Sequence, residues 1–131
     1  MIKPGTHRKR ILIVDDEPAI RKLCQRVLTE EGFEVDTASD GRIALAMISE
    51  REYGLYLIDI KMPLMDGKGL YESLQKTYPR SAGRVVFTTG SAIGQETERF
   101  LKSSGRPVML KPFTTEELKA IIRQALKAVD Q

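Results

Sequence analysis

Short apolar runs punctuate the chain at Ile11 to Val14, Leu55 to Ile58, Val85 to Phe87 and Val108 to Leu110. Runs this short, rich in branched residues and bounded by polar or turn residues, predict strands buried on both faces of a parallel sheet. They place strands at about Ile11 to Asp15, Leu55 to Asp59, Arg84 to Thr89 and Pro107 to Lys111. Glu34 to Ala38 alternates between polar and apolar instead, as an edge strand does.

Between these runs the apolar residues recur at helical spacing. Ile20, Leu23, Cys24, Val27 and Leu28 form one face of a first helix, with Pro18 in its first turn and an end near Gly32. Ser39-Asp40-Gly41 introduces a short second helix with Ala44, Met47 and Ile48 inward. Pro63 and Asp66-Gly67 break the chain before a third helix, near Lys68 to Tyr78, with Leu70, Tyr71 and Leu74 inward. A polar fourth helix near Gln95 to Ser103 has only Phe100 and Leu101 as strong anchors and is expected to be the least stable element. The fifth is the best marked. Thr114 and Glu117 form a capping box, Phe113 and Leu118 occupy the staple positions, and Leu118, Ile121, Ile122, Ala125, Leu126 and Val129 repeat at helical spacing. Five strands alternating with five helices predict an α/β protein with helices on both faces of the sheet.

The composition, 41% hydrophobic and 30% charged over 131 residues, suits one globular domain able to withdraw roughly two-thirds of its unfolded surface from water. The apolar runs fall far short of the ~20 residues that a membrane span needs. No secretory segment opens the sequence, so a cytoplasmic location is expected. The net charge of +3 has a local source, Lys3, Arg8, Lys9 and Arg10, which crowd the first ten residues together with the neutral His7. Residues 1–10 therefore read as a basic arm or linker remnant ahead of a domain over 11–131. No nucleic-acid-binding motif accompanies them, so binding of nucleic acid by this chain alone is not expected. Cys24 is the single cysteine and lies on the apolar face of the first helix, which predicts a buried structural thiol. With one histidine and one cysteine, no zinc cluster is expected.

Chemistry collects where the strands end. Asp15-Asp16, Asp59, Thr88-Thr89 and Lys111-Pro112 each follow an apolar run, and in a parallel α/β sheet the carboxyl ends of strands share one crevice. Carboxylates, a hydroxyl and an ammonium suit a divalent cation and a phosphoryl group, because hard oxygen ligands favour Mg²⁺. Without such cations the crowding is costly, since two unit charges ~4 Å apart repel by about 4 kcal/mol at an effective dielectric near 20. Each residue also has a plainer role: Asp15 or Asp16 as a helix cap, Asp59 as a strand end, Lys111 as a surface lysine.

Asp15-Asp16-Glu17-Pro18, the run from Asp59-Ile60-Lys61-Met62-Pro63 to Asp66-Gly67, Thr89-Gly90 and Lys111-Pro112-Phe113 together resemble the receiver domain of two-component response regulators. The likeness covers Ile11 to about Val129. It implies a flavodoxin-like, doubly wound three-layer sandwich of strand order 2-1-3-4-5, which also sets the first and third strands side by side so that Asp15, Asp16 and Asp59 meet. By the same resemblance Asp59 is the phosphoacceptor, while Lys111 and Thr89 contact the phosphoryl group. Mg²⁺, with Mn²⁺ as an alternative, is held by Asp16 and Asp59 directly, by Asp15 through water and by the Lys61 backbone carbonyl. The Lys111-Pro112 peptide is expected to be cis. Met62 to Gly67 is expected to be structural, with Asp66 capping the third helix.

The expected partner is a histidine kinase or histidine phosphotransfer protein, with no small-molecule substrate beyond phosphodonors, in a monomer or weak dimer. The chain is then a phosphoacceptor rather than an enzyme with turnover, and its parent is either a stand-alone regulator or a hybrid histidine kinase. A metal-dependent phosphohydrolase using Asp59 as nucleophile is the alternative, but Ile60-Lys61 supply no second carboxylate there. One position departs from the family pattern. Val108 stands where the family often carries a switch aromatic, which leaves coupling of Thr89 to the outer face in question.

Overall fold

A computed structural model describes residues 9–90 and 93–129. His7 and most of the basic arm lie outside the described residues. Five parallel strands form one sheet in the order β2-β1-β3-β4-β5, where β1 is Arg10–Val14, β2 Glu34–Ala38, β3 Leu55–Asp59, β4 Val85–Thr89 and β5 Val108–Leu110. The sheet order is the expected one. Arg10 opens β1 and its guanidinium reaches Glu34 at 2.9 Å on the edge strand. The fifth strand is shorter than its sequence suggests, yet its ladder carries on at both ends, with Phe87 N donating to Pro107 O and Lys111 N to Thr89 O.

The helices are α1 (Pro18–Glu30), α2 (Gly41–Glu50), α3 (Gly67–Thr77), α4 (Pro79–Ala82), α5 (Gln95–Ser104) and α6 (Thr115–Val129). Among the described residues six helices stand where the sequence suggested five. The addition is the single turn α4: Pro79 disfavours helical backbone at Tyr78, ending α3, and is itself preset for a first helical position. The other caps are those the sequence marks. Asp40 accepts from Arg42 N and Ile43 N, Asp66 accepts from Gly69 N, and Thr114 and Glu117 exchange both bonds of a capping box.

Alternation along the strands sorts the core into two layers. Leu12, Val14, Tyr56, Ile58, Val85 and Phe87 face α2, α3 and α5. Ile11, Ile13, Leu55, Leu57, Val86 and Met109 face α1 and α6, where they meet Cys24, Leu28, Leu118 and Ile122. β3 is buried along its whole length, as a central parallel strand should be. The polar α5 is held by Leu101 and by Phe100, whose ring meets Tyr71 and Phe87 edge-on at 5.9 and 5.7 Å, contacts worth about 0.5–1.5 kcal/mol each beyond burial.

The loop after β3 is fixed from below. A Cβ on Gly67 would lie 2.7 Å from the carbonyl oxygen of Asp59 and 2.8 Å from Ile60 Cα, so only glycine lets the start of α3 sit against the end of β3. Gly67 N closes the loop on Ile60 O at 3.0 Å. At the apex Leu64 adopts a left-handed φ of 70° with its side chain 72% exposed.

Candidate functional site

The register decides which strand-end residues share a face. Ile13 pairs with Leu57, and Asp59 pairs with Thr88. Asp15 and Asp59, each two residues beyond a member of the α1/α6 layer, therefore come up on the same side of neighbouring strands. Lys111, two residues beyond Met109, joins them from β5.

Its ammonium lies 2.8 Å from Asp15 Oδ2, 3.1 Å from Asp59 Oδ2 and 3.3 Å from Glu17 Oε1. Asp15 and Asp59 are almost fully buried, at 1% and 5% exposure. Each carboxylate's other oxygen accepts from the backbone two residues on, Asp15 Oδ1 from Glu17 N at 2.9 Å and Asp59 Oδ1 from Lys61 N at 3.2 Å. Arg21 donates to the Asp15 carbonyl at 2.7 Å and ties α1 to the end of β1. Asp15 is thus no helix cap: the N-cap of α1 is Glu17, with Pro18 at the first helical position.

The charges are not balanced. Asp59 is pushed up to about 6, chiefly by burial and then by the charge of Asp15, against the pull of Lys111. Burial alone would lower Lys111, but its hydrogen bonds and ion pairs with Asp15 and Asp59 carry it above the ordinary lysine range. Cys24, beneath the pair, is pushed up to about 12 by burial and by Asp15, which makes it the inert core thiol the sequence suggests.

Oxygen atoms of Asp15, Asp16, Glu17 and Asp59 all lie within 4.8 Å of one another. Asp16 is exposed and its carboxylate makes no hydrogen bond or ion pair among the described residues. An all-oxygen, net-acidic donor set with one uncommitted carboxylate fits a small hard cation such as Mg²⁺. Beside it opens a cleft of about 600 Å³, lined by Asp16, Lys61, Met62, Lys68, Thr97 and Phe100.

Thr89 is buried beside this cluster but not bonded into it. It follows Phe87 on the opposite face of β4, and its hydroxyl makes only a long contact of 3.3 Å to Gly90 O. Lys111-Pro112 is cis. Val108 is 37% exposed at the start of β5.

Two residues quoted from the sequence were given no role by it. Glu17 is a third partner of Lys111, and its place in the acidic run Asp15-Asp16-Glu17 was the signal for it. Thr88 is 2% exposed, and its Oγ1 has no hydrogen-bond partner among the described residues, an omission that costs about 1–3 kcal/mol for a buried hydroxyl. Nothing in a Thr-Thr pair distinguishes such a group from an ordinary strand residue.

Residues 11–123 match the family described as "Response regulator receiver domain". The chain belongs to that family. It is a receiver of two-component signalling, 36% identical over 126 residues to a "Probable transcriptional regulator ycf27" of Galdieria sulphuraria, a match covering 95% of this chain and 48% of that protein. The "Transcriptional regulatory protein TcrA" of Mycobacterium tuberculosis is 37% identical over 116 residues, covering 87% of this chain and 44% of its own length. The receiver thus spans about half the length of the curated relatives it matches. Among solved structures, a CheY-like receiver domain protein from Methanospirillum hungatei JF-1 superposes with a TM-score of 0.84 at 34% identity, over 92% of this chain and 95% of that one. Receivers of this family work with histidine kinases or phosphotransfer proteins. No helix among the described residues is long and apolar enough to cross a membrane.

Proposed function

We propose that this receiver takes a phosphoryl group from a phosphohistidine donor onto Asp59, in a reaction that needs Mg²⁺ or Mn²⁺. The observation that carries the reading is Lys111, whose ammonium bridges Asp59 and Asp15 at the carboxyl ends of three strands. Asp16 and Asp59 would hold the cation, with Asp15 acting through water and the Lys61 carbonyl completing the protein ligands. The bound cation supplies charge neutralisation for the carboxylates and the incoming phosphoryl oxygens.

The transfer itself is a displacement. A carboxylate oxygen of Asp59 forms a bond to phosphorus while the bond from phosphorus to the donor's imidazole nitrogen breaks, its electron pair staying on that nitrogen. Little covalent work falls to the protein, so positioning and electrostatics dominate. Lys111 neutralises charge on the phosphoryl oxygens, and the Thr89 hydroxyl, held by no strong bond, turns to one of them. Burial of Asp59 removes competing water from the nucleophile. The domain is a phosphoacceptor without further turnover: Ile60 and Lys61 follow Asp59 and provide no general acid. Val108 in place of an aromatic implies that the response is carried by the loops beyond β3 and β4 rather than by the outer side of β5.

Incubation with acetyl phosphate and Mg²⁺, followed by mapping of the adduct by mass spectrometry, tests the assignment. A single adduct at Asp59 is expected, absent in Asp59→Asn. A full signal in that variant would overturn it.

A further inference from the structure

Thr88 stands beside Asp59 on the next strand, and its hydroxyl has no partner among the described residues. Its Cα pairs with Asp59 on one side and with Met109 on the other, and it lies on the α1/α6 side of the sheet, the same side as Asp15, Asp59 and Lys111. Lys111 must cross β4, the strand that carries Thr88, to reach Asp59. Its other neighbours on this face, Val86 and Met109, are apolar, so Asp59 is the polar group beside Thr88. A valine would fill the same space with no polar atom to satisfy, and yet a hydroxyl is there, buried and unbonded.

The ammonium of Lys111 is meanwhile shared among three carboxylates. Any turn of Lys111 toward a phosphoryl oxygen weakens its 3.1 Å bond to Asp59 Oδ2 and leaves a buried carboxyl oxygen short of a donor. A hydroxyl on the adjacent strand needs only a turn of about 120° between staggered wells to present its hydrogen elsewhere.

We propose that Thr88 is a positioning residue for the Asp59-Lys111 pair: its hydroxyl donates to the Asp59 carboxyl when Lys111 turns toward the phosphoryl group. The inference rests on Asp59 being the phosphoacceptor. It gives the unbonded hydroxyl a partner in the reacting state, so that the cost borne at rest lowers the barrier to transfer. Thr88 touches neither the donor nor the phosphoryl group and acts through Asp59.

Thr88→Val removes the hydroxyl and keeps the shape; Thr88→Ser keeps the hydroxyl and removes a methyl. Thermal midpoints and initial rates of Asp59 labelling by acetyl phosphate with Mg²⁺ separate a positioning role from a structural one. Thr88→Val is expected to melt at or above the wild-type midpoint while its labelling slows by about threefold to tenfold, the worth of one hydrogen bond. Thr88→Ser is expected to melt lower and to label at close to the wild-type rate. Wild-type labelling in Thr88→Val overturns the proposal, and so does a loss of rate in Thr88→Ser equal to that in Thr88→Val. Labelling of the wild type at a residue other than Asp59, or no labelling, overturns this inference together with the function beneath it, whereas wild-type labelling at Asp59 with an indifferent Thr88→Val overturns this inference alone.

Discussion

Lys111 Nζ lies 3.1 Å from Asp59 Oδ2 across 52 residues of sequence, and the same ammonium lies closer still, at 2.8 Å, to Asp15 Oδ2. One cation therefore serves both buried carboxylates. Neither carboxylate is neutralised in full, and this partial compensation makes the site receptive to a second cation.

Removing that lysine exposes the imbalance. Lys111→Met leaves Asp15 and Asp59 buried and facing each other, and breaking one side of a buried ion pair typically costs about 3–5 kcal/mol. Lys111 is partly open to solvent, so a loss near the lower end is expected in denaturant titrations without divalent cation. Saturating Mg²⁺ should restore part of it. Unchanged stability in metal-free buffer would contradict the role given to Lys111.

Removal of Asp16 should act in the opposite sense. This exposed carboxylate adds to the local repulsion without accepting any bond, so Asp16→Ala is expected to raise the thermal midpoint in metal-free buffer and to shrink the increment gained on adding Mg²⁺. Equal metal-induced increments in both proteins would count against Asp16 as a ligand.

Asp59 gives the metal-free protein a pH signature. Its carboxyl titrates near 6 in the fold against an ordinary value of 3.8, so between those limits the folded state binds more protons than the unfolded one. Stability from this group is therefore present below about pH 4 and lost as pH rises through 6, since stability falls with pH wherever the folded state holds the extra proton. Asp59→Asn, which cannot ionise, is expected to be more stable than wild type at neutral pH by about 3 kcal/mol, one pKa unit being worth about 1.4 kcal/mol. The advantage should vanish near pH 4. A constant difference across a series of melts from pH 4 to 7 in EDTA would show that the charge of Asp59 is not its source.

Val108 predicts where the signal does not go. A valine in a strand has one strongly preferred rotamer and no ring to swing between solvent and the space behind Thr89. Backbone amide shifts with and without beryllofluoride are expected to be largest in the loops after β3 and β4 and in α5, and small at Val108. A largest shift centred on Val108 and the start of α6 would show that the outer face responds without its aromatic.

The amino-acid sequence alone determined the layered α/β architecture, the strand-end positions of Asp15, Asp16, Asp59 and Lys111, and the caps Asp40, Asp66 and Thr114 with Glu117. Those features are local: periodicity, turn chemistry and capping act within a few residues, and each leaves its mark where it operates. Pro79 left such a mark too, but a helix of one turn has no periodicity to display. Only the tertiary structure decided that one ammonium is divided among Asp15, Glu17 and Asp59, and that the Thr88 hydroxyl rather than that of Thr89 lies on their side of the sheet without a partner. These relationships depend on the register of three parallel strands and on the face each residue takes. A shift of one residue would exchange the faces of Thr88 and Thr89, and the pairing of β3 with β4 that sets the register is made between chain segments whose own sequences do not encode it.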